Sequence, residues 1–259
     1  MNQIFNHYAR YYDLLYHDKD YAAEAEYVAS HIKRENPNSR TILELGCGTG
    51  AHAEFFASLG FTVVGVDISP TMLIEAEKRK SRLPIKIADR LNFIQGDVRT
   101  IRTGEQYDAV VSLFHVVSYQ TSNADLQSIF ATAAVHLKPQ SLFLFDFWYG
   151  PAVLIQKPEI RIKRLEDNTI KVTRIAEPLL FFNENLVDVK YSIFIQNKIT
   201  GEIEQLQENH IMRYLFYPEL VWILSSSNLI IKDHYAWLEN TALTLDSWSG
   251  VVLAMPHKL

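Results

Sequence analysis

The chain has a single cysteine, Cys47, in 259 residues. No internal disulfide is therefore available, and the thiol count fits a reducing cytoplasm. There is no basic run and the formal net charge is -5, which argues against a dedicated nucleic-acid binder. The longest apolar stretch, residues 142–155, holds Asp146 and Pro151 and is too short to span a bilayer, so no membrane partner is expected. The opening Met1-Asn2-Gln3 lacks a basic n-region and an apolar h-region, so no signal peptide is expected either. None of the histidines stands in an HxxxH spacing beside acids, and no metal is predicted. Repeats, low-complexity tracts and clear linkers are missing as well. What remains is an ordinary globular composition, 48% apolar and 21% charged, long enough for one domain.

Residues 41–67 organise the rest. A strand-like apolar run, 41–45, enters a loop with Gly46, Gly48 and Gly50. A helical pattern with Phe55, Phe56 and Leu59 follows, and a second strand-like run stops at Asp67. This is a βαβ unit whose first turn is stripped of side chains, so its backbone can approach a ligand and offer N–H groups. An acid about 20 residues on, at the tip of the next strand, suits a ribose diol. The pattern predicts an adenosine-type cofactor at the C-terminal edge of a parallel sheet. Gly46-x-Gly48-x-x-Ala51 also satisfies the dinucleotide fingerprint, so a nicotinamide cofactor stays open on these residues alone. Cys47, inside the loop, is expected to pack rather than react.

Further along, Ser69-Pro70 reads as an N-cap and first helical residue, with Met72 on the inward face where it can pack on adenine. Residues 91–94 read as the third strand, and Asp97 in the turn beyond can accept from an adenine amino group. Residues 107–114 read as the fourth strand, and the exit loop at 113–120 should face the glycine loop across the crevice where ligands bind open α/β sheets. Asn123 is expected to cap a helix through His136, and residues 141–147 form the fifth strand, leaving Asp146, Trp148 and Tyr149 at its tip. Beyond Pro151, runs at 160–165, 170–176, 186–196 and 202–214, separated by turn residues, predict antiparallel hairpins. A short helix from Pro218 and strands at 229–237 and 251–255 close the chain.

Glu44-Leu45-Gly46-Cys47-Gly48-Thr49-Gly50 resembles motif I of class I S-adenosylmethionine-dependent methyltransferases. The resemblance continues, in order, through Gly65-Val66-Asp67-Ile68-Ser69 with Met72, Gln95-Gly96-Asp97-Val98, and Tyr107-Asp108-Ala109-Val110-Val111-Ser112. The strings Tyr12-Asp13-Leu14-Leu15-Tyr16 and Lys19-Asp20-Tyr21-Ala22-Ala23-Glu24-Ala25 are similar to the N-terminal segment of bacterial nucleotide-linked amino-sugar N-methyltransferases. The resemblance implies a doubly wound seven-stranded Rossmann-like α/β sheet, with an antiparallel β insertion before the last helix and two strands. It divides a single domain into a helical lid (1–35), a cofactor-binding core (36–150), the insertion (151–217) and the final helix and strands (218–259). It also implies S-adenosylmethionine as cofactor, leaving as S-adenosylhomocysteine, bound by Tyr12, Tyr21, Glu44, Gly46, Gly48, Asp67, Ile68, Met72, Asp97, Val98 and Leu113.

The expected reaction is methyl transfer to a small polar acceptor, the amino group of a nucleotide-linked sugar. Tyr119 matches by motif a position facing the amino sugar, and its ordinary pKa near ~10 suits orientation by hydrogen bonding rather than base catalysis. His115, the one histidine of the exit loop, could take a proton from a hydroxyl acceptor. Tyr8 and Tyr16 in the aromatic N-terminal segment, Trp148, and Arg213 (through a diphosphate or acid) are candidate substrate contacts. The exit loop departs from the resembling enzymes at His115 and Val116, and residues 243–250 with Trp248 replace their Ser/Gly-rich stretch. O-methylation of a sugar or small acid is therefore the alternative, and a non-catalytic cofactor-binding protein a second one. The insertion could roof the acceptor or pair two copies as a homodimer.

Overall fold

The computed structural model describes residues 9–257, with no account of the side chains of Ala9, Arg10 and Asp13. Tyr8, named above as a substrate contact, lies outside the described residues. Helices α1 (Ala9–Leu15) and α2 (Tyr21–Glu35) precede β1 (Thr41–Leu45), α3 (Ala51–Ser58), β2 (Thr62–Asp67), α4 (Pro70–Ser81), α5 (Ile85–Ala88), β3 (Leu91–Gln95) and β4 (Tyr107–Ser112). A single 3-10 turn, Val116–Tyr119, leads to α6 (Asn123–His136), β5 (Leu137–Tyr149) and α7 (Gly150–Gln156). Four strands follow, the last three of them long: β6 (Arg161–Glu166), β7 (Ile170–Phe181), β8 (Leu186–Asn197) and β9 (Ile203–Leu215). The chain ends through α8 (Tyr217–Ser226), β10 (Leu229–Ala236) and β11 (Ser249–Pro256).

The expected α/β sheet is present. Strands β3, β2, β1, β4 and β5 lie side by side in parallel, and β11 then pairs antiparallel with both β5 and β10. The central strands are mainly apolar on both faces because both are covered. Alternation along β5 sorts its side chains: Phe143, Phe145 and Phe147 pack with Leu126, Ile129 and Phe130 of α6 and with Leu220 and Leu224 of α8. Leu142 and Leu144 point the other way, onto Val28 and Ile32 of α2 and Phe56 of α3. Each fully buried ring or branched chain is worth about 1.5–3 kcal/mol over leaving it in water.

Strands β6 to β9 form an antiparallel ribbon, as the turn residues predict. The ribbon joins the main sheet at two residues, Trp148 and Tyr149 of β5, which pair in parallel with Tyr214 and Leu215. That junction sets the ribbon over the C-terminal tips of the parallel strands. Helix α1 closes the gap, its Tyr11 and Leu15 packing with Met72 of α4 and with Val172 and Ile193 of the ribbon.

Three local expectations change. Ser122, not Asn123, caps α6, accepting from the N–H of Asp125. Strand β7 runs through Pro178 to Phe181, since a proline is tolerated where a ladder lacks a partner for its missing donor. The chain past Gly150 begins with a helix, α7, before the ribbon starts.

Candidate active site

Two cavities meet at the strand tips. The first, about 400 Å³, is bounded by Tyr12, Tyr16 and Tyr21 of the N-terminal segment, by the glycine loop, and by Leu113, His115 and Tyr119 of the exit loop. Trp148, Tyr191, His210 and Met212 close its far side. The second, about 500 Å³, is bounded by Asp67, Ile68, Asp97 and Val98, with Glu208 and Ile211 of β9 opposite. Gly46, Asp67, Val116 and Tyr119 border both. Among the described residues, all those expected at the site border one or other of these adjoining cavities except Glu44 and Arg213.

The glycine loop is not an open row of donors. The N–H groups of Gly46 and Cys47 both bond to Val66 O, at 2.8 and 2.9 Å, and that of Gly50 bonds to Cys47 O at 2.9 Å. The N–H of Gly48 donates to the Asp67 carboxylate at 2.8 Å, whose other oxygen accepts from Ser69 N at 2.9 Å. The expectation of amides offered to a ligand is corrected: these four are committed to the protein, because the loop must be fastened to β2 to hold its positive φ angles. What the glycines do offer is access. A Cβ at Gly48 would meet nothing within 4 Å.

Behind the loop sit two buried carboxyl groups, Glu44 and Asp67. Glu44, on β1, is 1% exposed, and its Oε2 has no hydrogen-bond partner. Burial, with the nearby charge of Asp67, pushes its carboxyl up to about 8. Asp67 is likewise raised by burial, against the pull of the Ser69 and Gly48 amides. His52 stands between Glu44, 3.8 Å from Nδ1, and Glu24 of α2, 2.7 Å from Nε2. Burial works against the Glu24 charge, yet His52 and Lys19 hold its carboxyl below the usual range. Burial pushes the Cys47 thiol well up, so it packs as a small apolar residue.

Two of the expected site residues are already engaged by the protein. Asp97 does border the second cavity, but both its oxygens are gripped by the Arg99 guanidinium at 2.6–3.1 Å. Arg99 also bonds Asp125 at 2.7 Å, and the pairing holds Asp97 below the ordinary carboxylate range. An adenine amino group would have to share that carboxylate with a bidentate arginine. Arg213 is neither on a solvated strand face nor in a cavity. It is 7% exposed, paired with Glu219 and bonded to Thr121 O and Asn123 Oδ1, so it fastens the start of α6 to the ribbon.

The exit loop is held from β5. The backbone N–H of His115 donates to both oxygens of Asp146, at 3.0 and 3.2 Å, and Asp146 is 1% exposed. His115 Nδ1 also lies 2.8 Å from Asp146 Oδ2, out of line for a hydrogen bond. Tyr119 OH lies 2.7 Å from Nδ1 of His210, and His210 Nε2 lies 3.1 Å from Glu208 Oε2. Tyr16 accepts from the Arg174 guanidinium at 3.1 Å. Sequence reasoning passed over Asp146 as an anchor, and over His52, Tyr191, Glu208 and His210. The only trace was Glu208-x-His210, whose spacing puts a carboxylate and an imidazole on one strand face.

Residues 42–140 match the methyltransferase-domain family. Over 146 residues, 56% of this chain, the sequence is 34% identical to the dTDP-3-amino-3,4,6-trideoxy-alpha-D-glucopyranose N,N-dimethyltransferase of Streptomyces venezuelae. Over 133 residues, 51% of this chain, it is 31% identical to the dTDP-4-amino-2,3,4,6-tetradeoxy-D-glucose N,N-dimethyltransferase of Saccharopolyspora spinosa. The matched stretches span 58% and 50% of those relatives' lengths. The fold is shared with a solved S-adenosylmethionine-dependent methyltransferase of Clostridium acetobutylicum, at a TM-score of 0.81 and 21% identity over 98% of this chain and 99% of that one. Residues 42–140 thus match the methyltransferase-domain family, and over about half of its length the chain is similar to bacterial dTDP-amino-sugar N,N-dimethyltransferases.

Proposed function

We propose that the chain transfers a methyl group from S-adenosylmethionine to the amino group of a nucleotide-linked sugar. The observation that carries the cofactor is the electrostatics of the glycine loop. Its amides at Gly46, Cys47, Gly48 and Gly50 are taken, and two buried carboxylates, Glu44 and Asp67, stand behind it. A pyrophosphate would find few donors there and would oppose ionisation of either carboxyl, whereas a sulfonium and an ammonium group favour the ionised carboxylates and are in turn held by them. The open face of Gly48 gives such a ligand room. The acceptor follows from the two curated relatives, whose names specify dTDP-linked amino sugars.

In this reading β1–β5, β10 and β11 are the seven-stranded Rossmann-like sheet. The N-terminal helices are its lid, and the ribbon is the roof of the acceptor cavity. Asp67 would take the ribose hydroxyls, and Ile68, Met72 and Val98 the adenine, with Asp97 sharing its carboxylate between ligand and Arg99. Glu44, Gly46, Gly48, Tyr12, Tyr21 and Leu113 would surround the amino-acid end. Bound there, the cofactor supplies an electrophilic methyl group and needs no metal. The chain's own task is to hold the acceptor still and dry, which can contribute about 7–11 kcal/mol. Tyr16, Trp148 and Tyr119 would orient it.

A second reading rests on one contact. His115 borders the acceptor cavity and its ring lies against the buried Asp146. A histidine so placed could take the proton of a hydroxyl, making a sugar hydroxyl or small acid the acceptor. Calorimetry should show S-adenosylhomocysteine binding and no uptake of NAD; the reverse result overturns the cofactor. Labelled-methyl transfer over a panel of dTDP-linked amino sugars, hydroxy sugars and small acids separates the acceptors. Label on amino sugars alone is expected, and label confined to hydroxyls transfers the role to His115.

A further inference from the structure

The hydroxyl of Tyr119 begins a chain of contacts that runs inward. It meets Nδ1 of His210 at 2.7 Å, and the other ring nitrogen meets Glu208 Oε2 at 3.1 Å. His210 is 3% exposed and Glu208 8%. Tyr119 comes from the turn after β4, whereas Glu208 and His210 stand two apart on β9, on the face that looks toward that turn. A carboxylate accepts hydrogen bonds and cannot donate, so Nε2 carries the ring proton. Nδ1 of the neutral imidazole is then an acceptor, and the Tyr119 O–H donates to it. Tyr119 and His210 border the first cavity, and Tyr119 and Glu208 border the second.

An alkylamine with a pKa near ~10 arrives at neutral pH as an ammonium, with no lone pair for a methyl group to meet. We infer that Tyr119, His210 and Glu208 form a proton relay that deprotonates an ammonium acceptor in the first cavity. The inference rests on the amino-sugar reading above. One N–H bond of the ammonium breaks as its proton passes to the Tyr119 oxygen. The Tyr119 O–H bond breaks as His210 Nδ1 takes that proton, and the imidazolium so formed lies against the Glu208 carboxylate. Ammonium and neutral imidazole become amine and imidazolium, and no other reactant is consumed. Glu208 takes the Nε2 proton of the imidazolium and passes it to water on the side of the second cavity that it borders. Exchange of the remaining ring proton with solvent restores the Nε2–H form before another passage. Methyl transfer regenerates an ammonium at the same nitrogen, so a second methyl group needs a second passage through the relay.

The surroundings suit a hydroxyl that passes a proton on without ionising. Burial, with Tyr191, Tyr16 and Glu208 adding to it, raises Tyr119 well above the ordinary phenol range. His210 is faced by Tyr119 from the turn, by Tyr191 of β8 with ring centroids 4.8 Å apart, and by Glu208 of its own strand. Around this group stand Arg174 of β7, 4.8 Å from the Tyr191 ring, Tyr16 beside α1, and Tyr11 of α1, whose hydroxyl burial and the charge of Glu208 push up, with Glu204 farther along β9. His210 acts through Tyr119, so its removal should alter the pH dependence of turnover and not the binding of cofactor.

The test uses the full chain with S-adenosylmethionine and a dTDP-linked 3-amino sugar, comparing wild type with His210→Gln, Glu208→Gln and Tyr119→Phe. At neutral pH the His210→Gln kcat should fall about 100-fold or more. The deficit should shrink as pH rises and more acceptor arrives as free amine, while S-adenosylhomocysteine affinity stays at the wild-type value. Tyr119→Phe removes a single oxygen and reads the same loss should His210→Gln fail to fold. A His210→Gln profile parallel to wild type at every pH overturns the relay. Nitrogen NMR of the histidine rings gives an arm that needs no turnover. His210, assigned by the signal lost in His210→Gln, should carry its proton on Nε2, and Glu208→Gln should weaken that preference. A proton on Nδ1 overturns the relay even in an active enzyme. A wild type inert toward every amine overturns the acceptor reading and the relay's task with it, a result distinct from an active wild type with parallel profiles.

Discussion

A Cβ placed on Gly46 would fall 2.6 Å from both methyl carbons of Val116, so the glycine loop and the exit loop touch with no room for a side chain between them. Gly48, two residues on, faces open space. Both have positive φ, +83° and +53°. Gly46→Ala therefore carries a backbone penalty of about 1–2 kcal/mol and an overpacking penalty of about 1–3 kcal/mol. Gly46→Ala/Val116→Ala should recover only the second. Gly48→Ala carries the backbone part alone but puts a methyl group into the cavity. Denaturant melts should rank Gly46→Ala as the less stable, and calorimetry should rank Gly48→Ala as the weaker binder of S-adenosylhomocysteine. Equal melting of the two single variants would refute the steric argument.

Glu44 makes stability depend on pH with a definite sign. Its carboxyl titrates at about 8 in the fold against 4.5 for an ordinary glutamate. Between those values the native chain binds more protons than the unfolded one, so stability falls as pH rises through that window. Asp67, also raised, acts in the same sense. Glu44→Gln removes the Glu44 share, so its unfolding free energy should gain on wild type from about pH 5 to about pH 8 and then level off, by an amount on the order of a few kcal/mol. A difference that is flat in pH would mean that Glu44 is already ionised in the native chain.

Arg213 should behave as a structural residue. Its removal strands Glu219 and leaves Thr121 O and Asn123 Oδ1 without a donor. Because Glu219 is partly open to water, Arg213→Ala should lose less than a fully buried pair would, about 2–3 kcal/mol. Thermal melts should register that loss, while S-adenosylhomocysteine affinity and the acceptor KM of the folded fraction stay at wild-type values. A raised KM with unchanged melting would return Arg213 to the substrate.

How far the sequence reaches is visible in these residues. The βαβ unit, the order of strands and the hairpins of the ribbon are written in local periodicity and turn chemistry, and Ser69 caps α4 as its position implies. Contacts across distant segments are not written there. Nothing near Asp97 announces that Arg99, beside it, will also be held by Asp125, 26 residues on. Nothing near Arg213 announces Asn123, 90 residues away. The two-residue pairing of β5 with β9 that brings His210 to Tyr119 has no local signature either. Glycines in the loop signal close approach, but whether their amides face a ligand or β2 depends on the register of β1 against β2.

The left-handed step in the exit loop gives the last prediction. Phe114 and His115 both have positive φ, 62° and 63°, a region that L-residues avoid at about 1–2 kcal/mol each. The step turns the chain from β4 into the 3-10 turn that carries Tyr119 to His210. It is held by the Asp146 carboxylate, which takes the His115 N–H on both oxygens. Asp146→Asn keeps one accepting oxygen for that N–H, whereas Asp146→Ala leaves a buried donor unpaired, at about 1–3 kcal/mol. Asp146→Asn should therefore melt close to wild type, and Asp146→Ala clearly below it. With the step free to relax, Tyr119 drifts from His210, so Asp146→Ala should raise the acceptor KM. Ile68 and Val98, which border the other cavity, are untouched, so S-adenosylhomocysteine affinity should hold. If Asp146→Ala melts like wild type and leaves KM alone, the loop carries its own conformation and the anchoring role assigned to Asp146 is wrong.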